Sequence, residues 1–560
     1  MMGVFRKMFA GVSRSSLGRT GRGHEAAEVI TLPGAPGCRV TPPSPLPTAT
    51  PAVQRPDPWR DRWVLYEAML RDLDAALGPR PPAPTRRLLF FSTMPWWTDF
   101  SLATAVVLAG RGCHVDFAWT PYPDVDDRPA TDDEWAALVA SGPAVHHPRL
   151  RVVNLLQVTE GEPTPEQRRE AEQAAFIDAQ YVTGREEIDL SAGSRARAVY
   201  EFRLARNLRT MTALASLVEG GSYDRMVTPN GWVLEFGAAY RLARLVGLPC
   251  STLEVHDRKY RIHAGQTLPV LFQDTDVAWR ADAPHAYTAD RDERVRRILS
   301  GRAGGDWAEY VLKCQSVPPV PAEELMGQLQ LEPAKKVAIL CANVAHDSVV
   351  LGRNRTFTSM GDWVRRTIDL FARHPDWQLV VRAHPAELVM PPDESAESIV
   401  RRHCPGGLPT NVRLVLPGDP VNTYALMSLA HVGLVYNSTA GLEMACNGLP
   451  VVAAGLAHYG GKGFTADPDT PAEYAAAVAA ALAGPPRMSQ RQTELARCYL
   501  DLYFNALPFP YPWVVGNLDD FRTWPVRRVL CAEGDVQFGR TFDFLAGSSV
   551  PITDRVAAVG

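Results

Sequence analysis

The sequence has 560 residues, which is enough for two to four domains. Hydrophobic residues make up 46% of the chain and charged residues 21%, which is typical of a folded globular protein, and the net charge of −4 excludes a strong attraction to nucleic acid. Nine scattered cysteines without a CxxC pair indicate reduced thiols rather than a zinc site or a disulfide framework.

The chain begins with a basic segment and a proline-rich one. Residues 1–23 carry five basic residues and no acidic residue, and their apolar residues are too interrupted for a secretory signal. We interpret residues 1–60 as a disordered tail and linker, with weak contact of the tail with anionic lipid as the alternative. No apolar run reaches the roughly 20 residues that cross a bilayer. The predicted location is the cytoplasm, with peripheral contact at the inner face of the cell membrane as the alternative.

Residues 61–275 alternate between predicted strands and helices. This alternation predicts a parallel sheet with helices on its faces. The helices are expected near 62–77, 165–181 and 195–218, and the strands at 88–91, at 115–119, at 151–155 and before Thr228.

A second α/β series covers residues 331–485. Residues 276–330 show no clear period and hold Gly and Pro clusters, so we interpret them as the connection between two domains; residues 486–560 form a C-terminal extension. The fold class predicted is α/β, with two doubly wound, Rossmann-like domains that face a cleft, the expected place for a ligand. The second series contains strands 336–341, 377–382, 412–416, 432–436 and 450–454, and helices 359–373, 420–430, 439–447 and 471–483.

Three loops follow strands of the second domain at the edge where doubly wound sheets bind ligands. These loops span 342–358, 383–390 and 437–441. The polar residues in or directly before the first two loops are Asn343, His346, Asp347, Arg353, Arg355, Arg382, His384 and Glu387.

The third loop opens the stretch "YNSTAGLEMACNGLPVV". Backbone N–H groups at the start of its helix attract phosphate, and the hydroxyls of Ser438 and Thr439 beside Asn437 add donors. Glu443 lies one turn further and is placed to accept hydrogen bonds from ribose hydroxyls. The alternative is an ordinary helix cap without a ligand.

Two further residues are candidates for contact with a phosphate. Lys462 lies in the glycine-rich "AHYGGKGFT" after the next strand, where a flexible surface loop is the alternative. His384 follows a strand at the ligand edge, and Pro385 restricts its turn. An imidazole can supply a proton near neutral pH, although a turn histidine without a ligand is the alternative.

Three motifs together resemble the capsule polysaccharide biosynthesis family: "LCANVAHDSVVLG…FTSMGDWV", "LVVRAHPAE" and "VYNSTAGLEMACNGLPVVAAGLAHYGGKGFT". This family includes the Kdo transferases of bacterial capsule assembly, and its members resemble GT-B glycosyltransferases. The resemblance covers about 336–466 and extends more loosely to 227–254. His346 departs from the aromatic residue expected before Asp347.

The resemblance implies transfer of a sugar from a nucleotide-activated donor to a growing surface glycan or glycolipid. It places the donor in the second domain, in contact with His384 and with Asn343, Asp347, Arg382, Asn437, Ser438, Thr439, Glu443 and Lys462. No metal or other cofactor is predicted. The alternatives are a polyol-phosphate polymer transferase of the teichoic-acid type and a non-catalytic nucleotide- or glycan-binding subunit of an export complex.

The catalytic base is expected from the first domain, across the cleft. Asp99 and Glu254 are the candidates, with Asn230 and His256 on the acceptor side. Asp99 could instead cap a helix, and Glu254 and His256 could have buried structural roles. The pair Trp96 and Trp97 suits either a stacking floor for a sugar or a core contact.

Overall fold

The computed structural model describes residues 59–77, 84–125, 131–142, 147–282, 286–304, 317–389 and 391–551. Almost all of the predicted tail and linker, residues 1–58, lies outside the described residues. No helix among the described residues is long and apolar enough to cross a membrane.

The first lobe is built on a sheet that begins near residue 86. Its long helices and strands agree with the predicted positions to within about two residues at most ends. Its elements are α1 (Arg60–Leu77), β1 (Arg86–Thr93), α2 (Pro95–Gly110), β2 (Cys113–Thr120), α3 (Asp132–Ala140), β3 (Leu150–Asn154), α4 (Pro165–Thr183), α5 (Arg195–Glu219), β4 (Arg225–Pro229), α6 (Leu234–Leu245), β5 (Cys250–Val255) and β6 (Arg261–Gly265).

The second lobe follows a helical connection. Its elements, including that connection, are α7 (Asp276–Asp282), α8 (Ala289–Gly304), α9 (Ala322–Gln328), β7 (Lys336–Cys341), α10 (Met360–Ala372), β8 (Trp377–Arg382), α11 (Ala396–His403), β9 (Val412–Val415), α12 (Thr423–Leu429), β10 (Val432–Val435), α13 (Ala440–Cys446), β11 (Val451–Ala453), α14 (Pro471–Ala483) and α15 (Gln490–Asp501). The chain then returns to the first lobe with β12 (Phe509–Pro510), α16 (Asp520–Thr523), α17 (Val526–Val529) and α18 (Ala532–Leu545).

Both sheets are doubly wound. The first has the order β12-β6-β5-β4-β1-β2-β3, in which β6 pairs antiparallel with both β5 and β12 and the other pairs are parallel. The second has the order β11-β10-β7-β8-β9 with every pair parallel. The predicted fold class is therefore confirmed. The strand order reverses between β1 and β4 in one sheet and between β7 and β10 in the other, and such switch points open crevices at the carboxyl ends of the strands.

The connecting segment is more helical than its sequence indicates. We predicted no regular structure between 276 and 330, but α7, α8 and α9 form there. On α8 only Val295 and Ile298 are buried, and most other positions are charged. Two buried residues leave no apolar stripe for a periodicity analysis to detect. Both contribute to the core of the second lobe, so tertiary contact supports this helix.

Two segments cross between the lobes. Phe509, Phe538 and Phe542 of the C-terminal extension pack in the core of the first lobe, whereas Tyr499 of α15 packs in that of the second. Leu351, from the loop after β7, is fully buried in the core of the first lobe. The two lobes are thus joined by two segments that cross between them.

Candidate functional site

A cavity of about 250 Å³ lies between the lobes, at the carboxyl ends of the strands. The first lobe contributes the end of β5 with Glu254, Val255 and Asp257, and the second contributes the loops after β7, β8 and β10. The connecting helix α8 and the C-terminal extension also line it, through Arg302 and Tyr503. Most of the predicted site residues line this one cavity: Glu254, Asn343, Asp347, Arg382, His384, Asn437, Ser438, Thr439 and Glu443.

Glu254 is a buried carboxyl group whose two oxygens are both held. The amide of Val255 donates to Oε1 at 2.9 Å, and Asn230 Nδ2 donates to Oε2 at 3.0 Å. Burial raises the pKa of Glu254 to about 7, with a further rise from Asp347 across the cavity, although the two hydrogen bonds favour the ionised form. A carboxyl group with such a pKa can accept a proton near neutral pH.

Asn230 supports Glu254 from behind the cavity wall. It is fully buried and has a left-handed backbone with φ of 59°. Its Oδ1 accepts hydrogen bonds from the amides of Trp232 at 2.9 Å and Val233 at 3.0 Å, which fixes the direction of Nδ2 toward Glu254. Asn230 does not line the cavity, so its predicted acceptor-side role becomes an indirect one.

Two buried guanidinium groups line the cavity without a carboxylate partner among the described residues. Arg353 donates to the carbonyls of Leu271 at 3.3 Å and Leu456 at 2.9 Å, and burial lowers its pKa to about 10. Arg382 donates to Thr423 Oγ1 at 3.3 Å and to backbone carbonyls, and burial also lowers its pKa. Both groups remain cationic at neutral pH, so this wall favours an anionic ligand.

Two residues that line the same cavity have a buried amide oxygen without a hydrogen-bond donor among the described residues: Asn343 Oδ1 and Asn437 Oδ1. The orientation of Asn437 is fixed because its Nδ2 donates to the carbonyl of Val349 at 2.7 Å. Leaving a buried acceptor unsatisfied costs about 1–3 kcal/mol. A ligand with hydroxyl or amide donors would recover that cost.

His384 both caps a turn and lines the cavity, so the two interpretations considered for it are compatible. Its Nδ1 accepts a hydrogen bond from the amide of Ala386 at 3.1 Å and so caps the short 3₁₀ turn Pro385–Leu388. The neutral ring therefore carries its proton on Nε2. Burial, aided by Arg382 and opposed by Asp347, lowers the pKa of His384 to about 4. At neutral pH this cavity residue is a hydrogen-bond donor rather than an acid.

The third loop differs from its predicted form. The helix α13 has only seven residues, so its dipole is small. Thr439 occupies the N-cap position but makes no capping hydrogen bond with its side chain, whereas Ser438 Oγ accepts from the amide of Ala440 at 3.3 Å. An ordinary side-chain cap by Thr439 is therefore excluded. Both hydroxyls line the cavity beside the arginines described above.

Glu443 and Asp347 also line the cavity, and both accept hydrogen bonds from within the protein. Glu443 Oε1 accepts a hydrogen bond from Arg302 Nε at 2.7 Å, so one of its oxygens is already engaged. Asp347 Oδ1 accepts from the amide of Val349 at 3.3 Å and the hydroxyl of Ser348 at 3.4 Å.

Asp99 lies outside the cavity, in the interior of α2. Met94 occupies the N-cap position of this helix, so the alternative role of Asp99 as an N-cap is wrong. The carboxylate binds Arg62 Nε at 3.0 Å and accepts from the Tyr66 hydroxyl at 2.7 Å. Because this pairing joins α1 to α2 away from the cleft, Asp99 is no longer a candidate base. Trp97 beside it packs edge-to-face against Phe236 in the core.

Lys462 and His256 are the two other candidates that do not line the cavity. The Lys462 ammonium forms an ion pair with Asp276 of α7. Its charge, which we predicted to contact phosphate, is therefore neutralised within the protein. The His256 ring is buried against His263, and its Nδ1 accepts from the amide of Arg258 at 2.9 Å. A partner distant in the sequence explains the outcome for Lys462, whereas His256 is held by residues that are close to it in the chain.

Several cavity residues were not among the predicted site residues: Asp257, His263, Arg302, Arg353, Tyr424, His458 and Tyr503. Arg353 could have been found, because it lies in the first ligand-edge loop. Arg302 and Tyr503 come from segments without a motif, and only the fold brings them to the site. His346 turns toward Tyr181 of the first lobe, with ring centroids 6.4 Å apart, instead of lining the cavity.

Residues 322–492 match the model of the family described as "Capsule polysaccharide biosynthesis protein". The resemblance predicted from the three motifs is therefore confirmed, and the matched segment holds the second lobe with its three ligand-edge loops. No curated protein matches this chain.

Solved structures show distant similarity. One is KpsC from Thermosulfurimonas dismutans, a beta Kdo 2,4 transferase, with 14% identity over 55% of this chain and 88% of that chain, and a TM-score of 0.33. Another is the glycotransferase of kitacinnamycin, with 17% identity over 74% and 95% of the two chains and a TM-score of 0.25. A third is a putative UDP-N-acetylglucosamine 2-epimerase from Listeria monocytogenes, with 10% identity over 74% and 91%, and a TM-score of 0.26.

Proposed function

We propose that this chain is a GT-B-type glycosyltransferase. Its residues 322–492 match the model of the capsule polysaccharide biosynthesis family. It transfers a sugar from a nucleotide-activated donor to a growing capsular or other surface polysaccharide. The observation that carries the proposal is that Glu254 of one lobe and the guanidinium groups of Arg353 and Arg382 of the other line the same cavity.

In the proposed reaction, the acceptor hydroxyl attacks the anomeric carbon of the donor sugar. The new bond joins the acceptor oxygen to that carbon, and the bond between the carbon and the donor phosphate breaks. Glu254 takes the proton of the hydroxyl, and Arg353 and Arg382 neutralise the charge that develops on the leaving phosphate. His384 Nε2–H adds a hydrogen bond to the phosphate, and Asn343 and Asn437 accept from sugar hydroxyls.

The remaining donor-binding roles belong to the same proposal. Ser438 and Thr439 contact the phosphate through their hydroxyls, and Glu443 accepts from the ribose through the oxygen that is not bound to Arg302. Lys462 and Asp99 have no role in it, because other carboxylates and cations already pair with them.

The test has two stages. Thermal unfolding is measured with CMP-, UDP-, GDP- and CDP-linked ligands, and the stabilising donor is then incubated with glycan or glycolipid acceptors. Stabilisation followed by a new glycosidic bond supports the proposal, and Glu254→Gln should then keep donor binding and lose transfer. A phosphodiester product indicates the polyol-phosphate reaction instead. Binding without any turnover indicates a non-catalytic subunit, and the absence of binding to every one of these ligands contradicts all three functions.

A further inference from the structure

The turn that joins β4 to α6 contacts both lobes and the buried carboxyl group at once. It spans residues 230–233 at the switch point of the first sheet. Asn230 and Gly231 of the turn and Leu234, the first residue of α6, have a positive φ. Such a backbone is strained in non-glycine residues and persists only when surrounding contacts impose it. The conformation of this turn therefore needs an explanation in its contacts.

One set of contacts anchors the turn to its own lobe. The amide of Leu234 donates to Asp178 Oδ1, and Asp178 is fully buried. Its other oxygen accepts from Asn207 Nδ2 at 2.8 Å and lies 3.3 Å from Arg203 Nε. The end of the turn is thus fixed by a buried charged network that does not reach the cavity.

A second contact leaves the lobe. Trp232 Nε1 donates to the carbonyl of Leu351 at 3.0 Å, in the loop after β7 of the second lobe. The same ring lies against Gly352, where an added Cβ would come within 2.8 Å of Cζ2. Leu351 itself is buried in the core of the first lobe. The loop that carries Arg353 is therefore docked directly on Trp232.

The third contact leads from the turn to Glu254. Asn230 Oδ1 accepts from the amide of Trp232, and Asn230 Nδ2 donates to Glu254 Oε2. A shift of Trp232 would move the amide that holds Asn230, and Asn230 is one of only two hydrogen-bond donors seen on the Glu254 carboxyl among the described residues.

We infer that Trp232 and Asn230 are positioning residues that couple the approach of the two lobes to the orientation and ionisation of Glu254. The inference rests on the proposed function only in assigning Glu254 as the base. When the second lobe docks, the carbonyl of Leu351 accepts a hydrogen bond from the Trp232 ring. The amide of Trp232 donates to Asn230, and Asn230 donates to the carboxyl group of Glu254. Separation of the lobes would release Trp232 and weaken the support of Glu254.

The first experiment needs no turnover. The unfolding free energy of each protein is compared with that of the same protein carrying Glu254→Gln over pH 5–9, and the difference reports the titration of Glu254 in the folded state. Asn230→Asp keeps the two accepted hydrogen bonds and replaces the donor by a carboxylate. It should move this titration upward by at least one pH unit. An unchanged titration would overturn the role of Asn230.

Coupling between the lobes is tested by Trp232→Phe, which keeps a ring and removes the N–H donor to Leu351. The Glu254 titration should move upward by about half a unit or more, in the same direction as in Asn230→Asp. Trp135→Phe, in α3 of the same lobe, is the matched control and should leave the titration in place. A Trp232→Phe chain that loses stability but titrates like the control would overturn the coupling.

A variant in the second lobe provides the decisive comparison. Gly352 has a φ of 71°, so Gly352→Ala strains the backbone of this loop and also adds a methyl group against the Trp232 ring. It should also move the Glu254 titration, and in the transfer assay it should lower kcat about tenfold. No shift in titration contradicts the coupling. Absence of transfer in every protein, with the shifts present, contradicts the proposed function alone.

Discussion

Arg302 Nε lies 2.7 Å from Oε1 of Glu443, which joins the connecting helix α8 to the cavity wall of the second lobe. The two side chains are 12% and 3% exposed, and Arg302 also lies 3.7 Å from Asp257 of the first lobe. A residue of the connecting segment thus contacts both sides of the cavity. Its charge is balanced within the protein, in contrast to the charges of Arg353 and Arg382.

The Arg302–Glu443 pair should contribute to folding. We expect Glu443→Gln to lower the unfolding free energy by about 3 kcal/mol, because it leaves a buried guanidinium group without its main partner. Arg302→Met should cost a similar amount, and the double variant should cost clearly less than the sum. Urea unfolding of the four proteins measures this coupling, and strictly additive losses would show that the two residues act independently.

Transfer should depend on pH through Glu254. Because the pKa of Glu254 is raised to about 7 and the ionised form is the base, kcat/KM should rise with pH up to about 7 and then level off. Glu254→Gln should lower kcat by about 10²–10⁴-fold and remove this rise of kcat/KM with pH. Glu219→Gln, at an exposed position of the same lobe, is the control. If kcat/KM of Glu254→Gln still rose with pH in the same range, the base would be another residue.

Arg353 should recognise the charge of the ligand rather than its base or sugar. We expect Arg353→Met to weaken the binding of the nucleotide by about 10–100-fold, or about 1.4–2.7 kcal/mol, and to leave the binding of the uncharged nucleoside unchanged. Titration calorimetry with both ligands measures the two constants. Arg355→Met, whose parent side chain pairs with Asp469 and does not line the cavity, should affect neither. Equal losses for both ligands would point to a general distortion of the loop.

His384 should act through its Nε2–H group. His384→Ala should lower transfer by about 10²-fold while the fold survives, because it removes this donor and a turn cap that contributes about 1 kcal/mol. His384→Gln carries an amide N–H near the Nε2 position and should recover most of the rate. With a pKa of about 4, His384 should produce no limb of its own between pH 5 and 8. Equal rates in the two variants would remove His384 from the reaction.

Glu186 should make stability depend on pH. Its Oε2 accepts from the amide of Met360 at the start of α10, in the other lobe, and burial raises its pKa from 4.5 to about 8. Because the unfolded chain loses this proton first, stability is full below about pH 4.5 and falls as the pH rises through 8.

Between pH 5.5 and 8.5 the chain should therefore lose about 3 kcal/mol more unfolding free energy than Glu186→Gln does. Urea unfolding at the two pH values provides the measurement. The neighbouring Glu187, which pairs with Arg365, supplies the control variant Glu187→Gln. Parallel pH dependence in the parent chain and Glu186→Gln would contradict a raised pKa at Glu186.

Much of the fold follows from local patterns. The strands β1 and β8 are runs of apolar residues bounded by turn residues, and each lies within two residues of its predicted ends. The helix α8 was missed because its charged sequence buries only two residues, and its stability comes from packing on the second lobe. Periodicity reports the local burial pattern, and it fails where burial is sparse.

The candidate site was likewise predictable from the sequence only in part. The sequence by itself identified the loops after β7, β8 and β10, because polar residues that follow buried strands must lie at one edge of a parallel sheet. It also named Glu254 and His384, which both line the cavity. Only the tertiary structure decided which charges remain available there. Lys462 and Asp99 are neutralised by Asp276 and Arg62, whereas Arg353 has no carboxylate partner among the described residues, because ion pairing depends on distances between segments that are far apart in the chain.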